Sequence, residues 1–251
     1  WPDGEGFSVR QTGILRPPET RDLRHPRIVF DLDVPAQSQR TVYLRFQSGA
    51  SMNLLLTLLT PSAFLTHSTR DHILHGIYFG ILVGLFAYNL FLLLSLREKR
   101  HLYLVTLLAN MIIFDAAYLG YMESYLAPNL YYLRPTYFPL SFSLIFVSMV
   151  LFADSFLDLK TSHPRLHQLS IATVGIWGML ILLIPFTRYH TIATLMVPWA
   201  LLSLLAVLAA GILTWLRGYR PARFFLIAWF GFLAAFILVL LVRLGVIAST
   251  P

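Results

Sequence analysis

The sequence predicts an α-helical polytopic membrane bundle of six helices, preceded by the C-terminal strands of an all-β, jelly-roll-like sandwich. Three observations predict this fold class. Residues 1 to 72 carry 15 charged side chains, about 21%, whereas residues 73 to 251 carry 16, about 9%, and a soluble globular chain carries roughly 25%. From Ile73 onward the chain holds six apolar segments long enough to cross a ~30 Å hydrocarbon core, which takes about 20 helical residues. Between Arg27 and Thr60 the pattern instead has a period of two, the mark of half-buried strands.

The β-type part comes first. Ile28, Phe30, Leu32 and Val34 alternate with polar residues, as do Val42, Leu44 and Phe46, and Met52 to Thr60 supplies a third strand. A weaker strand is expected from Phe7 to Ile14. So few strands cannot close a jelly roll, which needs about eight, and the chain opens on Trp1, so the expectation is the last part of a longer domain. The expected division is 1–66 for this extracytoplasmic domain and its linker, and 67–251 for the bundle.

The six spans are expected near 73–96, 102–121, 137–157, 168–186, 191–216 and 224–245. Their punctuation is basic. Arg97, Lys99, Arg100, Lys160, Arg165, Arg217, Arg220 and Arg223 follow the odd-numbered spans, against Arg134, Arg188 and Arg243 at the other ends. Eight against three places the odd connections in the cytoplasm by the positive-inside rule, and the N-terminal domain outside. The net charge of +7 is then a topological signal and does not call for nucleic acid. Six crossings return the chain to its starting side. Either both ends of a six-helix protein lie outside, or, since a receptor reporting inward needs an odd number, a seventh helix is expected beyond Pro251.

The first span carries Gly76, Gly80 and Gly84 at spacing four, a small-residue stripe that admits another helix closely. A homodimer face is one reading. Packing within the same bundle is the commoner fate of such stripes.

No zinc-protease, nucleophile-elbow, P-loop or dinucleotide-binding motif is present, and Cys is absent, so no catalytic, metal or cofactor residues are assigned. Intramembrane polar groups are the candidates, because they are expensive in lipid. Asp115 costs up to about 2.5 to 3.5 kcal/mol at a helix centre and needs a partner. Arg243 is the nearest cation by depth, and an Asp115–Arg243 pair is the sharpest expectation. The alternative leaves Arg243 snorkelling to the interface and Asp115 protonated or wetted. Tyr88 and Asn89 fall mid-helix, where the amide would seek an interhelical hydrogen bond. His67, Asp71, His72 and His75 gather at the outer mouth of the first span, where they form a polar collar or a metal or pH site. Asp154 and Asp158 have a spacing that could pair carboxylates, and His163 and His167 are expected to meet only water.

The run from Gly76 to Leu104, with Gly76-x-Tyr78-x-Gly80, Tyr88-Asn89, the basic turn Arg97 to Arg100 and Tyr103, resembles the first-helix signature of the bacterial seven-transmembrane receptors with diverse intracellular signalling modules. Phe152 to Leu159 and Gly218 to Trp229 resemble later stretches of that family in the right order. Phe30 to Pro35 and Thr41 to Ser48 resemble the final strands of its second type of extracellular domain. His101 and Leu102 depart from the family's usual aromatic opening of the second helix. The resemblance implies an inner-membrane sensor in which an outer domain binds a small molecule, carbohydrate among the candidates. It also implies that a kinase, cyclase or phosphatase module follows in the same protein. A transporter with a site between the helices is the alternative, although helices one to three and four to six share no evident repeat.

Overall fold

The computed structural model describes residues 2–3, 6–7, 9–35, 37–39, 41–47 and 56–243, with side chains from residue 9 onward except those of 239, 240, 242 and 243. Six long helices dominate it. α1 (Pro61–Leu96) opens with Pro61 in the first turn, where its missing N–H costs nothing, and the Thr60 hydroxyl accepts from the Ala63 N–H at 3.3 Å. At 1.5 Å per residue, its 36 residues run about 54 Å. This exceeds a ~30 Å core by several turns. The helix that contains the span expected at 73–96 thus begins twelve residues before it, and the end of the expected linker is helical.

Arg97 turns the chain at φ 54°, and α2 (Lys99–Tyr118) returns. A π-helical turn, Met122–Leu126, and a 3-10 turn, Pro128–Leu133, lead into α3 (Arg134–Phe156). Asp158, at φ 48°, and the short α4 (Leu159–Ser162) turn the chain into α5 (Pro164–Leu183), which a 3-10 turn extends through Phe186. α6 (Tyr189–Leu216) and α7 (Ala222–Arg243) complete the described bundle. Five helices are long and apolar enough to cross a membrane, and α7 is a further apolar helix whose side chains are described over most of its length. Helices satisfy their own backbone groups, which is what permits such segments in lipid.

α3 is the centre. It packs on α2, α5 and α6, while α1 rests chiefly on α2 and α7 on α6. Ile145, Phe146, Met149 and Val150 of α3 meet Trp177 of α5, Met196, Ala200 and Leu204 of α6, and Phe225 and Trp229 of α7. Trp177 is fully buried, stacks on Phe146 at 5.0 Å and donates to Ser203 Oγ at 3.0 Å, so its polar edge is satisfied inside the core. Gly211 lets α7 approach: a Cβ there would stand 2.9 Å from the Leu226 side chain. The α1 stripe behaves differently. No described atom lies within 4 Å of where a Cβ on Gly76, Gly80 or Gly84 would stand, so no described helix packs closely on the stripe.

The expected sandwich strands do not form among the described residues. Residues 28–34 and 42–47 carry no ladder, and the described pairing is the short antiparallel match of Pro2–Asp3 with Gly6–Phe7. Met52 to Leu55 lie outside the described residues, and 56–60 are unpaired. Period two assigns faces to a strand, but a strand needs a hydrogen-bonded neighbour, and fewer than three strands are marginal alone. Residues 21–27 instead spend their polar groups on the bundle.

Candidate functional site

Residues 21–27 form a strap across the end of the bundle where α1 begins and α2 gives way to α3. Arg24 Nε donates to the Ser124 carbonyl at 2.8 Å, and the Tyr125 hydroxyl donates to the Arg24 carbonyl at 3.1 Å. Arg21 donates through Nη1 to Ser124 Oγ at 2.9 Å and to the His25 carbonyl at 3.1 Å. On the α1 side, Arg27 pairs with Asp71 at 2.9 Å. Gly120 makes the close approach possible: its φ is +84°, and a Cβ would fall 2.3 Å from the Pro26 carbonyl oxygen.

A histidine chain joins strap and helix. The Arg27 main-chain N–H donates to His25 Nδ1 at 3.1 Å, which makes Nδ1 the acceptor and Nε2 the donor in the neutral ring. His25 Nε2 lies 3.1 Å from Ser68 Oγ, which lies 3.2 Å from His72 Nδ1. His75 Nδ1 lies 3.0 Å from the Tyr121 hydroxyl. The collar expected at His72 and His75 thus connects two other segments. Among the described residues, no three His, Asp or Glu side chains are grouped to hold a metal.

Burial pulls the His25 imidazole below its ordinary 6.5; His72 and Arg27 push the same way, and Asp71 opposes them. A group lowered on docking binds fewer protons docked than free, so docking gains with rising pH. Its contribution is complete above about 6.5 and is lost as pH falls below that value. Amide exchange of residues 21–27 is therefore expected to accelerate as the pH of the protein is brought down through this range, after correction for intrinsic exchange. His25→Asn should flatten the profile; an unchanged profile in that variant would assign the effect elsewhere.

Beneath the strap lies a cavity of about 240 Å³, lined among others by Ile14, Arg21, His25, Asp71, Glu123 and Arg134. Glu123 is 1% exposed; its Oε1 accepts from Arg134 and, at 2.7 Å, from the Tyr137 hydroxyl. Among the described residues, Glu123 Oε2 and Arg21 Nε are buried with no hydrogen-bond partner.

Within the span region, Asp115 accepts a 2.5 Å hydrogen bond from the Tyr78 hydroxyl, tying α2 to α1. The expected Arg243 partner has a side chain outside the described residues. Asn89 is buried, but its amide donates to the Leu85 carbonyl of its own helix at 2.9 Å, which corrects the interhelical expectation. An amide four residues along can reach back to its own turn, so no neighbouring helix is needed. Tyr88 is exposed. At the basic end, His167 Nδ1 meets Asp154 at 2.9 Å and His163 is buried, so neither merely meets water. Asp158 accepts from the Thr161 hydroxyl and forms no pair with Asp154. Arg217 donates to the Ser162 carbonyl at 2.9 Å, joining the turn after α6 to the one after α3.

Glu123, Tyr78, Arg21 and His25 are among the site residues that sequence reasoning passed over. The available signal was scarcity: Glu123 is one of only five acids after residue 72, and it stands in a tyrosine-rich loop.

No curated protein and no solved structure matches the chain. Residues 1–60 match the family model described as 7TMR-DISM extracellular 2, and residues 71–251 match that described as 7TM diverse intracellular signalling. The second match covers more than two thirds of a chain already seen to be a bundle of membrane-length helices, and the protein therefore belongs to the 7TM diverse intracellular signalling family, a family of transmembrane signalling proteins.

Proposed function

We propose that this chain is the sensing and transmembrane part of a bacterial inner-membrane receptor, in which ligand-induced movement of the strap is relayed by α1 to an output module in the same protein. The observation that carries the reading is the continuity of α1: one helix holds the strap at Ser68 and Asp71 and runs unbroken to the basic turn at Arg97. A rigid element contacted at one end can bias the other, provided that the ligand binds two arrangements unequally. Eight Lys and Arg at the opposite end support a cytoplasmic position for that end. The match of residues 1–60 to an extracellular family model supports an outer strap and a sandwich domain at 1–66, with the bundle from 67. The described cavities do not favour a transporter. The larger lies at the bundle's end, and the other, about 20 Å³ among residues such as Val150, Leu166 and Val207, is too small and apolar for a polar cargo.

The chain has no cysteine, which makes a cross-linking test clean. Arg27→Cys with Asp71→Cys in the full-length receptor, treated in intact cells with a short membrane-impermeant bis-maleimide, should cross-link and fix the output at one level. The two single-cysteine proteins should show no such change. Failure to react in intact cells while reacting after permeabilisation would overturn the orientation, and cross-linking with unchanged output would overturn the relay.

A further inference from the structure

The geometry points to a binding site beneath the strap for a small organic acid that also carries a hydrogen-bond donor, an amino acid or a hydroxy acid. Three features of the cavity converge on that class. The first is an unfilled acceptor. Glu123 lines the cavity and is almost wholly buried; its Oε1 takes both Arg134 and Tyr137, while Oε2 has no hydrogen-bond partner among the described residues. A buried carboxylate oxygen without a donor is costly, and a hydroxyl or ammonium group placed there removes that cost.

The second is an unfilled donor with uncompensated charge. The lining includes Arg21, Arg27 and Arg134 against Asp71 and Glu123. Arg27 is taken by Asp71, and Arg134 by Glu123. Among the described residues Arg21 donates to the neutral His25 carbonyl and Ser124 hydroxyl, and its Nε is buried without a partner. One positive charge is left over with the histidines neutral. A carboxylate matches the guanidinium fork in both charge and shape.

The third is size. At ~30 Å³ per water molecule, 240 Å³ holds about eight water-sized groups. A glycine, serine or lactate fits such a space. A simple fatty acid lacks the donor for Glu123, and a neutral polyol lacks the charge for Arg21. A ligand with both groups would bridge the strap, through Arg21, to the α2–α3 turn, through Glu123. Its binding energy would then fall directly on the contact that the relay requires.

The inference deepens the sensor reading and rests on it, but binding can be measured without any output. The purified full-length receptor in lipid nanodiscs is titrated calorimetrically with L-serine, L-lactate, acetate, glycerol, glucose and inorganic phosphate at millimolar concentrations. Serine or lactate is expected to bind at least tenfold more tightly than acetate, glycerol and glucose. Arg21→Gln and Glu123→Gln should each reduce that affinity at least tenfold. Ile14→Trp, which fills the exposed mouth of the cavity without touching the ion pairs, should do the same in a protein with unaltered thermal unfolding. Phosphate binding as tightly as serine or lactate would identify an inorganic-anion site and overturn the proposal. So would equal binding of acetate or glycerol, no binding by any of the six, or full affinity in the Ile14→Trp protein. Any of these results leaves the cross-linking outcome standing.

Discussion

Arg134→Ala should destabilise the protein by about 3–5 kcal/mol, the cost of removing one partner from a buried ion pair. Glu123 is 1% exposed and the Arg134 side chain 16%, so the pair sits far from the screened surface regime. Take the guanidinium away and the carboxylate keeps one donor, the Tyr137 hydroxyl, while its Oε2 already has none. The charge would be left buried with only the more distant Arg21 guanidinium to offset it. Replacing both partners, Glu123→Leu with Arg134→Leu, should recover most of the loss, because the penalty belongs to the stranded charge. Unfolding of the purified protein in detergent micelles checks this. If Arg134→Ala costs no more than the 0–1 kcal/mol typical of an exposed pair, the buried arrangement is wrong.

This pair also marks where sequence reasoning reaches its limit. Hydropathy located all the long helices, because burying or lipidating about twenty apolar residues is a large effect that averages over a window. It misplaced the start of α1, because Pro61 and the Thr60 cap are local signals that continue a helix into a polar stretch. The partner of Asp115 was sought among cations by depth. The structure offers Tyr78, a neutral donor on the adjacent helix whose residue type already stood in the family-like run, while the Arg243 side chain lies outside the described residues. Glu123 was invisible for the opposite reason. Its partners Arg134 and Tyr137 read as a topological charge and an interfacial aromatic, and only the turn between α2 and α3 brings the three together. No ladder runs along the described strand-like stretches; alternation determines which side of a strand would be apolar and says nothing about what lies alongside it.

Gly120→Ala should lift the strap. Two costs act at this position, and a second glycine separates them. Gly120 has φ +84° and Gly218 φ +91°, so an alanine at either site is strained by about 1–3 kcal/mol. At Gly218 no described atom beyond its chain neighbours lies within 4 Å of the added Cβ, so strain is the effect expected there. At Gly120 the added carbon would stand 2.3 Å from the Pro26 carbonyl oxygen and 3.1 Å from its carbon. Backbone atoms cannot rotate away as a side-chain tip can. Relief requires residues 24–27 to move off the turn, and with them go the bond from Arg24 to the Ser124 carbonyl and the contact between His25 and Ser68. Amide exchange in residues 21–27 is therefore expected to rise at least tenfold in Gly120→Ala and to stay unchanged in Gly218→Ala, although both proteins lose stability. If strap docking sets the output, Gly120→Ala should also shift the basal signalling of the full-length receptor in the direction opposite to the cross-linked strap. Equal exchange in the two variants would mean that the approach of Pro26 to Gly120 does not hold the strap in place. Raised exchange with unchanged output would leave the strap docked as described but separate it from signalling.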